Sequence, residues 1–194
     1  MIRRTQAERS DETTAALVLA ARELFGDKGY AGISIDAVAA AAGVTKGAAY
    51  HHFRGKALLF RAAFESELAE ASAKLERVAA EESDVWAALH RGARTFLEHC
   101  LYPRFRQIVL LDAPSVLGWE TARAIEHRCL LRILLAGFTL AAEGEDAAAV
   151  PARAQLVFGA LCEGGMLLAR SPDPAADLPR LAAEADRLLD ALRS

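Results

Sequence analysis

The chain has 194 residues, enough for one or two hydrophobic cores, and the 53% hydrophobic share is inflated by alanine, so it signals helix and not membrane. The longest central apolar run, Ile133 to Ala142, is too short to span a bilayer, and the charged start MIRRTQAERSDET is no signal peptide. Net charge is −3, divided as +2 over residues 1–60 and −5 over 61–194, and the three well-separated cysteines (Cys100, Cys129, Cys162) argue against a disulfide framework and fit a reducing cytoplasm.

Arg3, Arg4 and Arg9 form a short basic arm, which either follows a nucleic-acid backbone, enters a minor groove or is a solvated tail. A first helix is expected over about 11–27, with Leu17, Ala20, Ala21, Leu24 and Phe25 as its core stripe. Gly29 ends it and Tyr30 packs back. Ser34 then caps a short helix whose apolar face is Ile35, Val38, Ala39 and Ala42, with Asp36 in its positive first turn. Gly43 stops that helix, Val44 plugs the turn, and Thr45 caps a second one carrying Lys46, Tyr50, His51 and His52. Gly47, Ala48 and Ala49 between them are small enough to let the helix approach another surface. Lysine, hydroxyl and imidazole groups around small residues suit phosphates and base edges. The pattern is helix-turn-helix, with Thr45 to Phe53 as recognition helix. The expected DNA-binding residues are Ser34, Thr45, Lys46, Gly47, Ala48, Tyr50, His51, His52 and Lys56. Lys46, Lys56, Tyr50 and His52 are expected on the backbone; Thr45, Ala48 and His51 on base edges.

The run VTKGAAYHHFRGKALLF resembles the DNA-binding signature of the TetR family of bacterial regulators, through Val44, Thr45, Gly47, Tyr50, His52, Phe53 and Lys56. Upstream, AARELFGDKGYAGISIDAVAAAAGV is similar to the same family at Phe25, Gly29, Tyr30, Ile35, Ala39 and Gly43. The resemblance covers roughly residues 10–65. It implies a double-stranded DNA operator, repression as the commonest role, and a small-molecule pocket among the helices that follow.

After Gly55, Lys56 opens a helix to about residue 80, with Phe60, Phe64, Leu68, Ala71, Leu75 and Val78 in a sustained stripe. It is either the mechanical link from DNA to the body or a long core helix with no such role. Ser83 and Asp84 cap the next helix, to about 101, whose inward face is Trp86, Leu89, His90, Ala93, Phe96, Leu97 and Cys100. Pro103 opens a segment that Pro114 should break or bend. A helix over about 118–141 follows, then the polar connection EGEDAAAV, then a helix opened by Pro151. SPDPAADLP reads as a loop, before a last helix carrying Leu181, Ala185, Leu188, Leu189 and Leu192. The fold class is all-α: a helix-turn-helix domain at 1–56 and a helical ligand-binding and dimerisation domain at 57–194.

No G-x-S-x-G, H-E-x-x-H or P-loop is present, so neither enzyme nor cofactor is expected. His51 and His52 point about 100° apart on a helix and do not clasp one metal; His90, His99 and His127 lack a ligand pattern. The cysteines are small core residues or, alternatively, redox-sensing thiols. The expected effector is largely apolar, in a pocket drawn from Phe64, Leu68, Trp86, His90, Phe96, Phe105, Arg106, Trp119, Arg128 and Phe138, each of which is otherwise plain core. A homodimer is expected through the last two helices, about 151–170 and 176–193, using Phe158, Leu161, Gly165, Leu181, Ala185 and Leu188. The function expected is a cytoplasmic DNA-binding regulator. The alternative is a helical ligand-binding or adaptor protein acting through protein partners.

Overall fold

The computed structural model describes residues 5–142 and 144–193, with backbone alone at 144–146. Arg3, Arg4 and Glu143 lie outside the described residues. Among the described residues every regular element is helical. The first helix, α1 (Gln6–Lys28), starts earlier than expected. The cause is a reciprocal cap: the Glu8 N–H donates to Thr5 Oγ1 at 3.2 Å, and the Thr5 N–H donates to Glu8 Oε2 at 2.7 Å. Helix α2 (Ile35–Ala41) is capped by Ser34, and α3 (Lys46–His52) by Thr45. Gly43 turns the chain between them at φ 68°, a conformation that penalises any Cβ.

Helix α4 (Lys56–Glu81) runs through one continuous core, from the first three helices into those that follow. Its first turns bury Leu59, Phe60, Ala63 and Phe64 against Leu17, Ala21, Phe25, Val38 and Ala49 of the head. Phe60 meets the rings of Phe25 and Tyr30 edge-on, at centroid distances of 5.3 and 5.2 Å. Burying one such phenylalanine stabilises the head by about 1.5–3 kcal/mol. Further along, Leu68, Ala71 and Val78 turn to the body.

Helix α5 (Val85–His99) is capped by Asp84, which accepts from the N–H groups of Trp86 and Ala87 at 2.7 and 3.0 Å. Residues 103–116 form one helical stretch, α6: Pro103–Phe105, a π-helical turn Arg106–Asp112, and Ala113–Val116. Pro114 does not break it. Proline lacks an N–H and is tolerated where a helical register is being re-set, here just after the widened π turn. The direction changes instead at Gly118, at φ 80°. Helix α7 (119–141) likewise widens in the middle, as Trp119–Glu126, π-helical His127–Leu131 and Arg132–Ala141. A 3-10 turn, Gly144–Ala149, leads to α8 (Val150–Arg170).

The stretch expected to be a loop is mostly helix. Helix α9 (Pro174–Arg193) begins inside SPDPAADLP and contains Pro179. Asp173 starts it, accepting from the Ala176 N–H at 3.1 Å, and Pro174 has the fixed φ a first turn needs. Pro179 falls in the second turn, where it costs one backbone bond close to the start of the helix. Helices α8 and α9 pack on α5, and His90 clasps α5 to α9 through Asp186 (2.9 Å) and Asp190 (3.2 Å).

Head and body meet in a charged cluster under α1. Arg22 donates to Glu67 at 2.7 Å and to Glu70; Arg104 of α6 pairs with Glu23 and lies 3.5 Å from Glu67. Glu67 is only 2% exposed. Burial lowers the Arg22 pKa, yet its bonds to Glu67 and Glu70 raise it more. Gly26 lets α6 come close: a Cβ there would lie 2.9 Å from Arg104 Cα. The Tyr30 N–H donates to Asp112 at 2.7 Å, completing the seam. Among the described residues no helix is long and apolar enough to cross a membrane.

Candidate nucleic-acid interface

Helix α3 is anchored by one face and free on the rest. Ala49 is fully buried, whereas Thr45, Lys46, Gly47, Tyr50 and His51 are exposed and Ala48 and His52 are half-buried. Ser34 stands at the exposed start of α2, its Oγ accepting from the Ala37 N–H at 3.1 Å. At Gly47 a Cβ would meet nothing within 4 Å. The head's own packing therefore does not require glycine there.

Three polar groups in and just after α3 are already engaged. Lys46 Nζ lies 2.6 Å from Asp36 Oδ2, and its bond to that carboxylate holds the ammonium above its ordinary pKa. Lys56 Nζ sits 4.0 Å from the centre of the Tyr30 ring. His52 Nδ1 is 3.0 Å from Thr14 Oγ1, which ties the end of α3 to α1. His51 and His52 rings stand nearly perpendicular, at 85°. Two further groups belong to this surface and were not anticipated: Asp36, whose charge opposes phosphate, and exposed Arg54 just after α3. The basic residue in FRGK was a legible sign of the second.

The body contains a cavity of about 360 Å³, framed by α4, α5, α7 and α8. This lies near the small end of the usual range for ligand sites, about 300–1,000 Å³. Leu75, Leu89, Gly92, Phe96, Leu134, Gly137, Phe158 and Leu161 supply apolar lining; Glu76, Glu82, Ser83 and Arg132 are its polar groups. Of the residues expected to line a pocket, Phe96 alone faces it. Phe64 and Leu68 are fully buried core, and His90 is occupied by its two aspartates. Trp86 and Phe138 stack edge-on at 6.1 Å. Phe105 and 62%-exposed Trp119 border a separate cavity of about 190 Å³ with Phe96, and Arg123 covers the Trp119 ring at 4.6 Å. Arg128 is exposed and donates to the Ala124 carbonyl of its own helix, while Arg106 buries Nε without a hydrogen-bond partner among the described residues. Periodicity finds a buried face, but a cavity is a place where buried faces fail to meet. The sign that was available was Gly92 and Gly137 inside helices, where glycine costs about 1 kcal/mol relative to alanine.

The residues expected to meet a second copy also divide. Phe158, Leu161 and Gly165 are buried within the chain; a Cβ on Gly165 would lie 2.8 Å from Cys100 Sγ. Ala185 is also buried, Leu181 half-buried, and Leu188 exposed. The outward apolar groups of α8 and α9 are Leu156, Leu167 and Leu188. Burial raises all three thiols, Cys162 to about 11, so none is a ready thiolate near neutral pH.

Residues 17–63 match the model described as bacterial regulatory proteins, tetR family, and residues 86–192 match the tetracyclin repressor-like C-terminal domain. The chain belongs to the TetR family of transcriptional regulators. It is 38% identical over 129 residues to the HTH-type transcriptional regulator CymR of Pseudomonas putida, with 64% of each chain covered. It is 32% identical over 120 residues to the transposon Tn10 TetC protein of Escherichia coli, so its match spans about three-fifths of the length of these curated relatives. A solved TetR-family regulator from Pectobacterium atrosepticum superposes with TM-score 0.79, at 33% identity and 97% coverage of both chains.

Proposed function

We propose that the protein is a sequence-specific DNA-binding transcriptional repressor, acting in the cytoplasm as a homodimer and released by a small, largely apolar effector. Residues 1–56 are the DNA-binding head and 57–194 the effector and dimerisation body. The observation that carries this is α3: an exposed helix held by Ala49, with Lys46, Tyr50 and His51 outward and empty space at Gly47. Ser34, Thr45, Lys46, Gly47, Ala48, Tyr50, His51, His52 and Lys56 are its DNA-facing set. Lys46 and Lys56 exchange Asp36 and the Tyr30 ring for phosphates. The cavity beside α4 is the effector site, and α4 carries its state to the head, because it begins at Lys56 and lines the cavity at Leu75. Leu156, Leu167 and Leu188 on α8 and α9 form the face for the second copy.

Duplexes selected from a random pool by the purified protein test this reading. A repressor of this kind enriches a two-fold sequence with half-sites about one helical turn apart or a multiple. Its affinity falls with salt, and Lys56→Ala lowers the salt slope by about one. Enrichment of no sequence, with no salt-dependent duplex affinity, would leave the adaptor reading.

A further inference from the structure

At the cavity rim, α7 is joined to α4 by a short polar chain. The Ser72 hydroxyl on α4 donates to the Cys129 backbone carbonyl at 2.9 Å, within the π-helical turn of α7. Arg132, at the first position after that turn, donates through Nη2 to Ser72 Oγ at 3.1 Å and to the Glu76 carboxylate. Arg132 and Glu76 both border the cavity, and each side chain is about half exposed. Both bonds of Arg132 use one nitrogen. A guanidinium has five N–H donors, and each of the two forks it can offer a carboxylate includes Nη2, so a two-bond grip on a ligand competes with the bonds that Nη2 now makes.

We infer that the effector is an apolar compound ending in a single carboxylate, that Arg132 binds the carboxylate, and that in doing so it gives up Glu76 and loosens α4 from α7. The inference rests on the reading of this cavity as the effector site. A guanidinium fork matches a carboxylate with two parallel N–H···O bonds. The charge is limited to one: Glu76 and Glu82 share the rim and repel a dianion, and Glu82 is already paired with Arg91 at 2.8 Å. A cationic ligand is disfavoured, because reaching Glu76 means displacing a guanidinium that also holds Ser72. Displaced by a carboxylate, half-exposed Glu76 returns to water at little cost. The apolar remainder of the ligand lies against Leu75, Leu89, Leu134 and Phe158. A neutral compound gains the same burial without disturbing the α4–α7 tie, so it binds more weakly and leaves the head in place. Ligand and DNA then weaken each other by the same factor.

Calorimetric titration of the full chain with matched acids and amides tests this, using octanoate with octanamide and phenylbutyrate with phenylbutanamide. The acids are expected to bind about tenfold tighter than the amides, the factor of one charge-assisted pair. Arg132→Gln should abolish that preference and Arg132→Lys retain part of it, with melting temperatures confirming that both variants fold. On the selected duplex, the acids should weaken DNA binding by the wild type; in Glu76→Gln, where no ionic tie remains to be exchanged, that effect should shrink. Amides binding as tightly as acids would overturn the inference and leave the effector cavity standing, as would an acid preference that survives Arg132→Gln. An undiminished effect of acids on DNA binding in Glu76→Gln would overturn the release of α4. Failure of both series to bind would overturn the cavity reading, and the inference with it.

Discussion

Gly47 sits at the second position of α3 with open space where a side chain would stand. Alanine fits there in the free protein, so Gly47→Ala should leave the melting temperature unchanged or slightly raised. The added methyl group projects from the face proposed to meet DNA, and on that reading duplex affinity should fall by about tenfold or more, ~1.4 kcal/mol. A binding titration beside a thermal melt reads both. His99 shows the reverse case, a polar side chain with nothing to bind. It is 3% exposed, neither ring nitrogen has a hydrogen-bond partner among the described residues, and the rings of Tyr102 and Phe105 flank it at 4.8 and 4.7 Å. Burial, with nearby Lys74, lowers its pKa from 6.5 to about 4. The unfolded chain therefore binds this proton more readily than the folded one. The contribution of this group to stability is therefore full above about pH 6.5 and is lost as pH falls toward 4. Urea unfolding at pH 7 and pH 5 should show the loss in the wild type and a smaller one in His99→Phe.

Among the elements, α5 carries the cost of the cavity. Gly92 lies inside this helix, lines the cavity, and has nothing within 4 Å of a would-be Cβ. Alanine is favoured over glycine in a helix interior by about 0.8–1 kcal/mol. Gly92→Ala should therefore raise the melting temperature, by roughly 2–4 °C for a chain of this size. The same methyl group enters the cavity, so an effector that binds there should lose affinity. Stabilisation without loss of effector binding would place the ligand elsewhere. Gly137, also in the lining, is not equivalent: a Cβ there would lie 2.8 Å from Leu89 Cδ2, so alanine forces Leu89 to move.

For the whole molecule, the proposed homodimer rests on the outward leucines of α8 and α9. Leu156 is 75% exposed and Leu188 52%, on a helix pair whose other faces pack on each other and on α5, α6 and α7. Leu156→Glu with Leu188→Glu should convert a dimer to a 20.8 kDa monomer in sedimentation without unfolding it, since neither side chain belongs to the core. Duplex affinity should fall with it, because two half-sites are then no longer held by one particle. A wild type that already sediments as a monomer at micromolar concentration would remove the dimer.

Local chemistry made the head legible from sequence. Ser34 and Thr45 cap their helices, Gly43 turns between them, and the spacing of Ile35, Val38 and Ala39 identifies the buried face. These are interactions between residues three or four apart, so the order of the residues contains them. The cap of α1 at Thr5 and Glu8 was equally local and equally available. Pro114 and Pro179 were misleading, because proline's local preference was overridden by a widened helical turn in one case and by nearness to a helix start in the other. What tertiary structure alone decided was where buried faces touch and where they leave room. The stripe of α8 marks Phe158, Leu161 and Gly165 as apolar, but only the helices packed around them assign them to the interior of this chain: Phe158 lies against His127 and Arg123 of α7, and Gly165 faces Cys100 and Leu110. The cavity, and the meeting of Arg132 with Ser72 and Glu76 at its rim, join residues some sixty positions apart. No periodicity within one helix encodes that distance; the packing of four helices does.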